Sequence, residues 1–116
     1  MNVYDQAHAL ARTMRESEEF REFDRLRKVA YEDGTNKALL DEFKRLQFRY
    51  QASMASGTPM DENDIKRMQQ IANLLQFNAD ASAFLMAEFR FQKMLADIYK
   101  ILGDVAGIDL DMLTQG

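Results

Sequence analysis

Residues 80–106 read DASAFLMAEFRFQKMLADIYKILGDVA. Within them Phe84, Ala87, Phe91, Met94, Ile98, Ile101 and Val105 recur in strict alternation of three and four positions, the spacing that places side chains on one face of an α-helix. Three heptads run without a break, so the pattern predicts one long helix ending near Ala106. Asn78 and Asp80 offer capping oxygens at its start, and Gly107 offers a stop. At 1.5 Å per residue such a helix is about 39 Å long, whereas a compact chain of this length has a radius of gyration of about 13 Å. An elongated molecule is expected.

Working outward toward the N-terminus, the same periodicity predicts four further helices. Thr58-Pro59-Met60-Asp61 reads as a helix start, with Thr58 as cap and Pro59 as first helical residue; this fourth helix would run to about Phe77 over Ile65, Met68, Ala72 and Leu75. The third spans about Asn36 to Ala55, turns Leu39, Phe43, Leu46 and Tyr50 inward, and ends at Ser56-Gly57. Asp33-Gly34 interrupts the pattern before it, with Thr35 or Asn36 as cap. The second covers about Glu18 to Glu32, buries Phe20, Phe23, Leu26 and Ala30, and is capped by Ser17. The first runs from Val3 to Glu16 with Val3, Ala7, Leu10 and Met14 on one stripe. The expected fold is therefore all-α: a five-helix elongated bundle in which helices 3 and 5 form a long antiparallel pair. Residues 1–107 are expected to be a single helical domain, and residues 108–116 a flexible acidic tail.

Composition narrows the function. The 116 residues include no cysteine, which excludes disulfides, thiolate metal sites and a cysteine nucleophile, and fits a reducing cytoplasm. No stretch approaches the roughly 20 apolar residues of a membrane span, and the first residues lack the pattern of a secretory signal. Residues 1–58 balance ten acids with ten bases, and residues 59–116 hold nine acids against five bases. Each basic cluster, such as Arg25, Arg27 and Lys28, sits among acids such as Glu22 and Asp24, which opposes direct binding to nucleic acid.

Chemistry-bearing motifs are sparse. His8 is the sole histidine and follows Asp5 by one helical turn; without a second histidine or a nucleophile elbow it reads as an ordinary helix residue. Asp61, Glu62 and Asp64 form an acidic knot that lacks the ligand spacing and turn glycine of a calcium loop, and its position at a helix start matches the helix dipole. No catalytic residue, metal ligand or cofactor is assigned. The anomaly is apolar: Phe84, Leu85, Met86, Ala87, Phe89 and Phe91 surround the first half of the last helix. Either the first two helices wrap it or a second copy covers it, and a symmetric homodimer is the expectation. Leu85, Met86 and Phe89 are the candidate interface residues. Phe48 and Met60 are further candidates for surface contacts, and Met68 and Met94 fall on core stripes.

Two stretches carry a family resemblance: Tyr4-Asp5-Gln6-Ala7-His8-Ala9-Leu10-Ala11 leading through Glu16-Ser17-Glu18-Glu19-Phe20, and Ala87-Glu88-Phe89-Arg90 leading to Asp97-Ile98-Tyr99-Lys100-Ile101-Leu102. Over about residues 3–106 the chain resembles the YlbF/YmcA family of small helical proteins from Gram-positive bacteria, above all its YheA-like branch. The resemblance implies an all-helical fold that self-associates. Two members of the wider family act with a third protein in a complex that influences RNA processing by the membrane-bound ribonuclease RNase Y, and affect competence, sporulation and biofilm formation. Those members hold iron–sulfur clusters through cysteines near the chain end; this chain has none, so no cluster is carried over. The sequence therefore predicts a cytoplasmic, non-enzymatic protein–protein interaction module, a regulatory adaptor with a partner in RNA processing or developmental regulation. The alternative is a helical module for a small ligand or divalent metal.

Overall fold

Each helix begins where a short polar side chain turns back onto the backbone. In a computed structural model, which describes residues 2–107, five α-helices follow one another: α1 (Val3–Glu16), α2 (Glu18–Glu32), α3 (Gly34–Ser56), α4 (Glu62–Gln76) and α5 (Ala79–Ala106). Asn2 caps α1, and the Ser17 hydroxyl accepts from the Phe20 N–H to cap α2. Asp33 caps α3 through the N–H groups of Thr35 and Asn36, and Asn78 caps α5 through that of Ala81. These contacts satisfy donors that the first helical turn leaves without partners. Gly57 and Gly107 close α3 and α5 at φ 74° and 71°, where a Cβ would be strained.

Two starts differ from expectation. α3 begins at Gly34, because the Asp33 carboxylate takes two N–H groups and leaves Thr35 and Asn36 inside the helix. α4 begins at Glu62 rather than Pro59. Thr58 is occupied in closing the turn after α3, where its N–H donates to Ser56 Oγ and its carbonyl accepts from Ser53 Oγ. Asp61 is the cap instead, accepting from the Asn63 N–H at 2.7 Å. Met60, just before the cap, is half-buried and packs against the core.

The molecule is elongated, with a radius of gyration of 16.9 Å and extents of 50 × 36 × 16 Å, so it is about two helix layers thick. Its core gathers Ala30, Leu40, Leu46, Ile71, Leu75, Ala81 and Phe84, with Phe23, Leu26, Tyr31, Phe43 and Met68 against them. Ring contacts run in opposite senses along α2 and α5: Phe20 meets Phe91 at 5.6 Å, and Tyr31 meets Phe84 at 5.6 Å. These two helices are antiparallel and form the main α5 contact.

The all-α, elongated five-helix fold is as expected; the pairing of its long helices is not. Asn36 bonds Asn78 at 3.0 Å and Lys44 pairs with Glu88 at 2.8 Å, so position rises together along α3 and α5 and the two run parallel. The reason is α4, which turns back between them: Glu42 pairs with Arg67 and Arg49 with Asp64, in antiparallel order. The antiparallel partner of α5 is α2.

The carboxylates of these pairs set an acid limit. The hydrogen bond from Arg67 holds Glu42 below its ordinary value of 4.5, and Arg25 and Lys28 do the same for Glu22 and Asp24. A folded-state pKa below the unfolded one contributes stability above the unfolded value, and that contribution is lost as pH falls through the folded value. The melting temperature should therefore begin to fall as pH drops below about 4.5. Calorimetry on Glu42→Gln should show a shallower acid slope than the wild type; an unchanged slope would remove this pair from the explanation.

Candidate functional site

The anomalous α5 sequence lies over the junction of α3, α4 and α5. Phe84 and Ala87 point into the core and are fully covered, which by helical geometry turns the neighbouring positions outward. Phe89 is 69% and Met86 60% exposed, and Leu85 is half-buried between them and the core. The structure thus brings the three candidate residues to one place. They line an open groove of about 380 Å³ with Phe43, Ala72, Leu75 and Arg90. A second groove of about 410 Å³ adjoins it, bounded by Gln47, Tyr50, Gln51, Glu88 and Gln92. Phe43, Leu85 and Phe89 belong to both, so the Phe89 ring forms a ridge between an apolar groove and a glutamine-rich one.

The floor beneath is braced by polar and aromatic contacts. Lys44 sits 5.0 Å above the Phe84 ring and 5.8 Å from the Tyr31 ring while bonding Glu88. Burial works to lower the Lys44 pKa, but the hydrogen bond and charge of Glu88 outweigh it and hold the ammonium above its ordinary value. The cation is fixed on the aromatic faces, and it ties α3 to α5 below the groove. At the opposite end of the same junction the Asn36 amide oxygen accepts from the Asn78 amide.

The remaining candidates are scattered. Phe48 is exposed on α3, outside the residues that line both grooves. His8 is exposed on α1. In the acidic knot Asp61 caps α4 and Asp64 pairs with Arg49 at 3.3 Å, so two of its carboxylates already have partners. Sequence reading missed the groove walls Phe43, Ala72 and Arg90. Phe43 and Ala72 fall on core stripes by periodicity, and an adjacent stripe differs by only 100° of rotation.

Among the described residues no group of three or more His, Cys, Asp and Glu side chains converges as a metal site, and no helix is long and apolar enough to cross a membrane. Fold and surface together define an elongated five-helix protein that displays apolar helix faces around a braced core. The chain belongs to the family described as control of competence regulator ComK, YlbF/YmcA, whose model matches residues 3–105. It is 33% identical over 103 residues to a UPF0342 protein of Caldicellulosiruptor bescii, covering 89% of this chain and 87% of that one. A UPF0342 protein of Symbiobacterium thermophilum is 31% identical over 108 residues, covering 93% and 96%. The fold matches a protein of unknown function (DUF964) from Bacillus stearothermophilus with a TM-score of 0.73 at 19% identity, over 90% of this chain and 92% of that one.

Proposed function

We propose that this protein is a non-enzymatic, homodimeric interaction module of the cytoplasm, a regulatory adaptor that engages a protein partner through the groove around Phe89. The single observation that carries this reading is the exposed Met86 and Phe89 pair over a groove built from three helices. Aromatic and methionine side chains set in a preformed apolar depression are the usual anchors of protein recognition. The groove is open along α5, and an amphipathic helix with anchors one turn apart fits its shape. The family description, control of a competence regulator, supports a regulatory role.

Met86→Glu with Phe89→Glu tests the reading without disturbing the core, because both side chains face solvent. The double variant should keep the wild-type circular dichroism and lose at least about 10-fold in affinity for any protein captured by the wild type from its host's lysate. Equal capture by both forms would refute the groove as the docking site. A small apolar ligand is the second reading, favoured by a groove volume within the range of ligand sites. Such a ligand would raise the melting temperature of the purified protein with no partner present.

A further inference from the structure

The two grooves around Phe89 have a charge pattern as well as a shape. Their linings together hold two ionised side chains, Arg90 in the apolar groove and Glu88 in the glutamine-rich one. Glu88 is engaged within the molecule, since it bonds the Lys44 ammonium at 2.8 Å. Arg90 is exposed, and among the described residues it makes no hydrogen bond or ion pair. The Glu22 carboxylate senses its charge, but Arg25 already holds that group through two hydrogen bonds. One turn further along α5, Lys93 is matched by Asp97 at 3.2 Å. The walls contributed by α3 and α4 carry no charge. A guanidinium with its donors open therefore stands at the rim of an apolar groove, in the half of the chain where acids outnumber bases nine to five.

Resting on the reading of this groove as a docking site, we infer that its occupant is an amphipathic helix of a partner protein with a carboxylate at the edge of its apolar stripe, and that Arg90 receives this carboxylate. Charge complementarity selects the chemistry. A guanidinium is a planar fork that pairs with a carboxylate through two parallel hydrogen bonds, and here no internal carboxylate has to be displaced first. Position agrees. Arg90 directly follows Phe89 and stands one turn after Met86, so a helix whose apolar side chains seat against Met86 and Phe89 brings the flank of its stripe to the guanidinium. The amides of Gln47, Gln76 and Gln92 complete the rim; each can donate or accept, so they admit polar residues of either kind and leave the choice of charge to Arg90. A helix is the occupant rather than a strand because all regular structure among the described residues is helical, which leaves no sheet edge for an extended segment to join. A lysine-rich segment, which an anionic chain would otherwise attract, is repelled at this one place.

Two labelled synthetic helices test the assignment by fluorescence anisotropy on the full chain. Both are about 16 residues long with leucines at i, i+3, i+4 and i+7; one flanks the leucines with glutamates and the other with lysines. At low salt the glutamate peptide should bind the wild type at least about 5-fold tighter than the lysine peptide. This order runs against the net charge of −4, and it should shrink below about 2-fold in ~0.5 M salt. Arg90→Gln should abolish the preference and Arg90→Glu should reverse it, both on an exposed side chain that the core does not use. Met86→Glu/Phe89→Glu should weaken both peptides. Equal binding of the two peptides by the wild type, or a preference for glutamate that survives Arg90→Gln, would overturn the acidic partner and leave the groove standing as a docking site. Binding of neither peptide, or binding that the groove variant leaves unchanged, would instead remove the groove reading and this one with it. Decanoate that displaces the glutamate peptide and raises the melting temperature would make the occupant a small apolar acid, and a lower sedimenting mass of the groove variant would make it a second copy; either result overturns the assignment.

Discussion

Phe84→Ala should lower the unfolding free energy by about 3–5 kcal/mol, measured by urea denaturation, and the melting temperature by roughly 10–25 °C. Phe84 is fully buried where α5 meets α2 and the aromatic core. Its ring lies 5.9 Å from that of Phe23 and edge-on to Tyr31 at 5.6 Å, so truncation removes two ring contacts and leaves a cavity the size of a phenyl group. The loss does not end there. The Lys44 ammonium stands over the same ring, and without it the cation keeps Glu88 but loses its nearer aromatic face. A free-energy loss below about 1 kcal/mol would mean that the core collapses around the gap, contrary to the braced packing around Phe84.

Ile71→Ala should be the next largest loss, about 2–5 kcal/mol by the same measurement. Ile71 is wholly buried in α4, the helix whose reversal sets the parallel course of α3 and α5. Its neighbour Ala72 is exposed and lines the groove, so Ala72→Ser should change stability by less than about 0.5 kcal/mol. Adjacent positions on one helix thus divide between support and surface. Comparable costs at both positions would place the α4 core face one residue from where it stands.

The contrast between Ile71 and Ala72 also marks how far periodicity reads. Both fit a three-four pattern with Met68 and Leu75, and sequence favoured Ala72. The same happened on α3, where Leu39 was expected inward and its neighbour Leu40 is the fully buried residue. Neighbouring stripes are separated by 100°, and an apolar face wider than that leaves its centre undetermined until a partner helix arrives. The candidate site was legible at Leu85, Met86 and Phe89 because apolar residues there surround the helix on more sides than one neighbour covers. Its walls were not, since Phe43 and Arg90 join it only through the tertiary arrangement.

Helix number, the caps at Ser17 and Asn78, the glycine stops at Gly57 and Gly107 and the elongated shape are local properties, so the chain by itself determined them. Each follows from backbone groups and side chains within a few positions of one another, or from the rise of a helix multiplied by its length. Direction belongs partly to this class: a two-residue link at Phe77-Asn78 and a five-residue link at residues 57–61 join α4 to its neighbours, and short links between packed helices reverse the chain. Two reversals make α3 and α5 parallel, a signal present in the loop lengths. Only tertiary structure decided how much of each stripe is covered. Phe84 and Val105 stand in the same heptad series and differ from full burial to near full exposure, with Met94 and Ile98 half-buried between them, because periodicity records that a face is apolar but not where its neighbours stop.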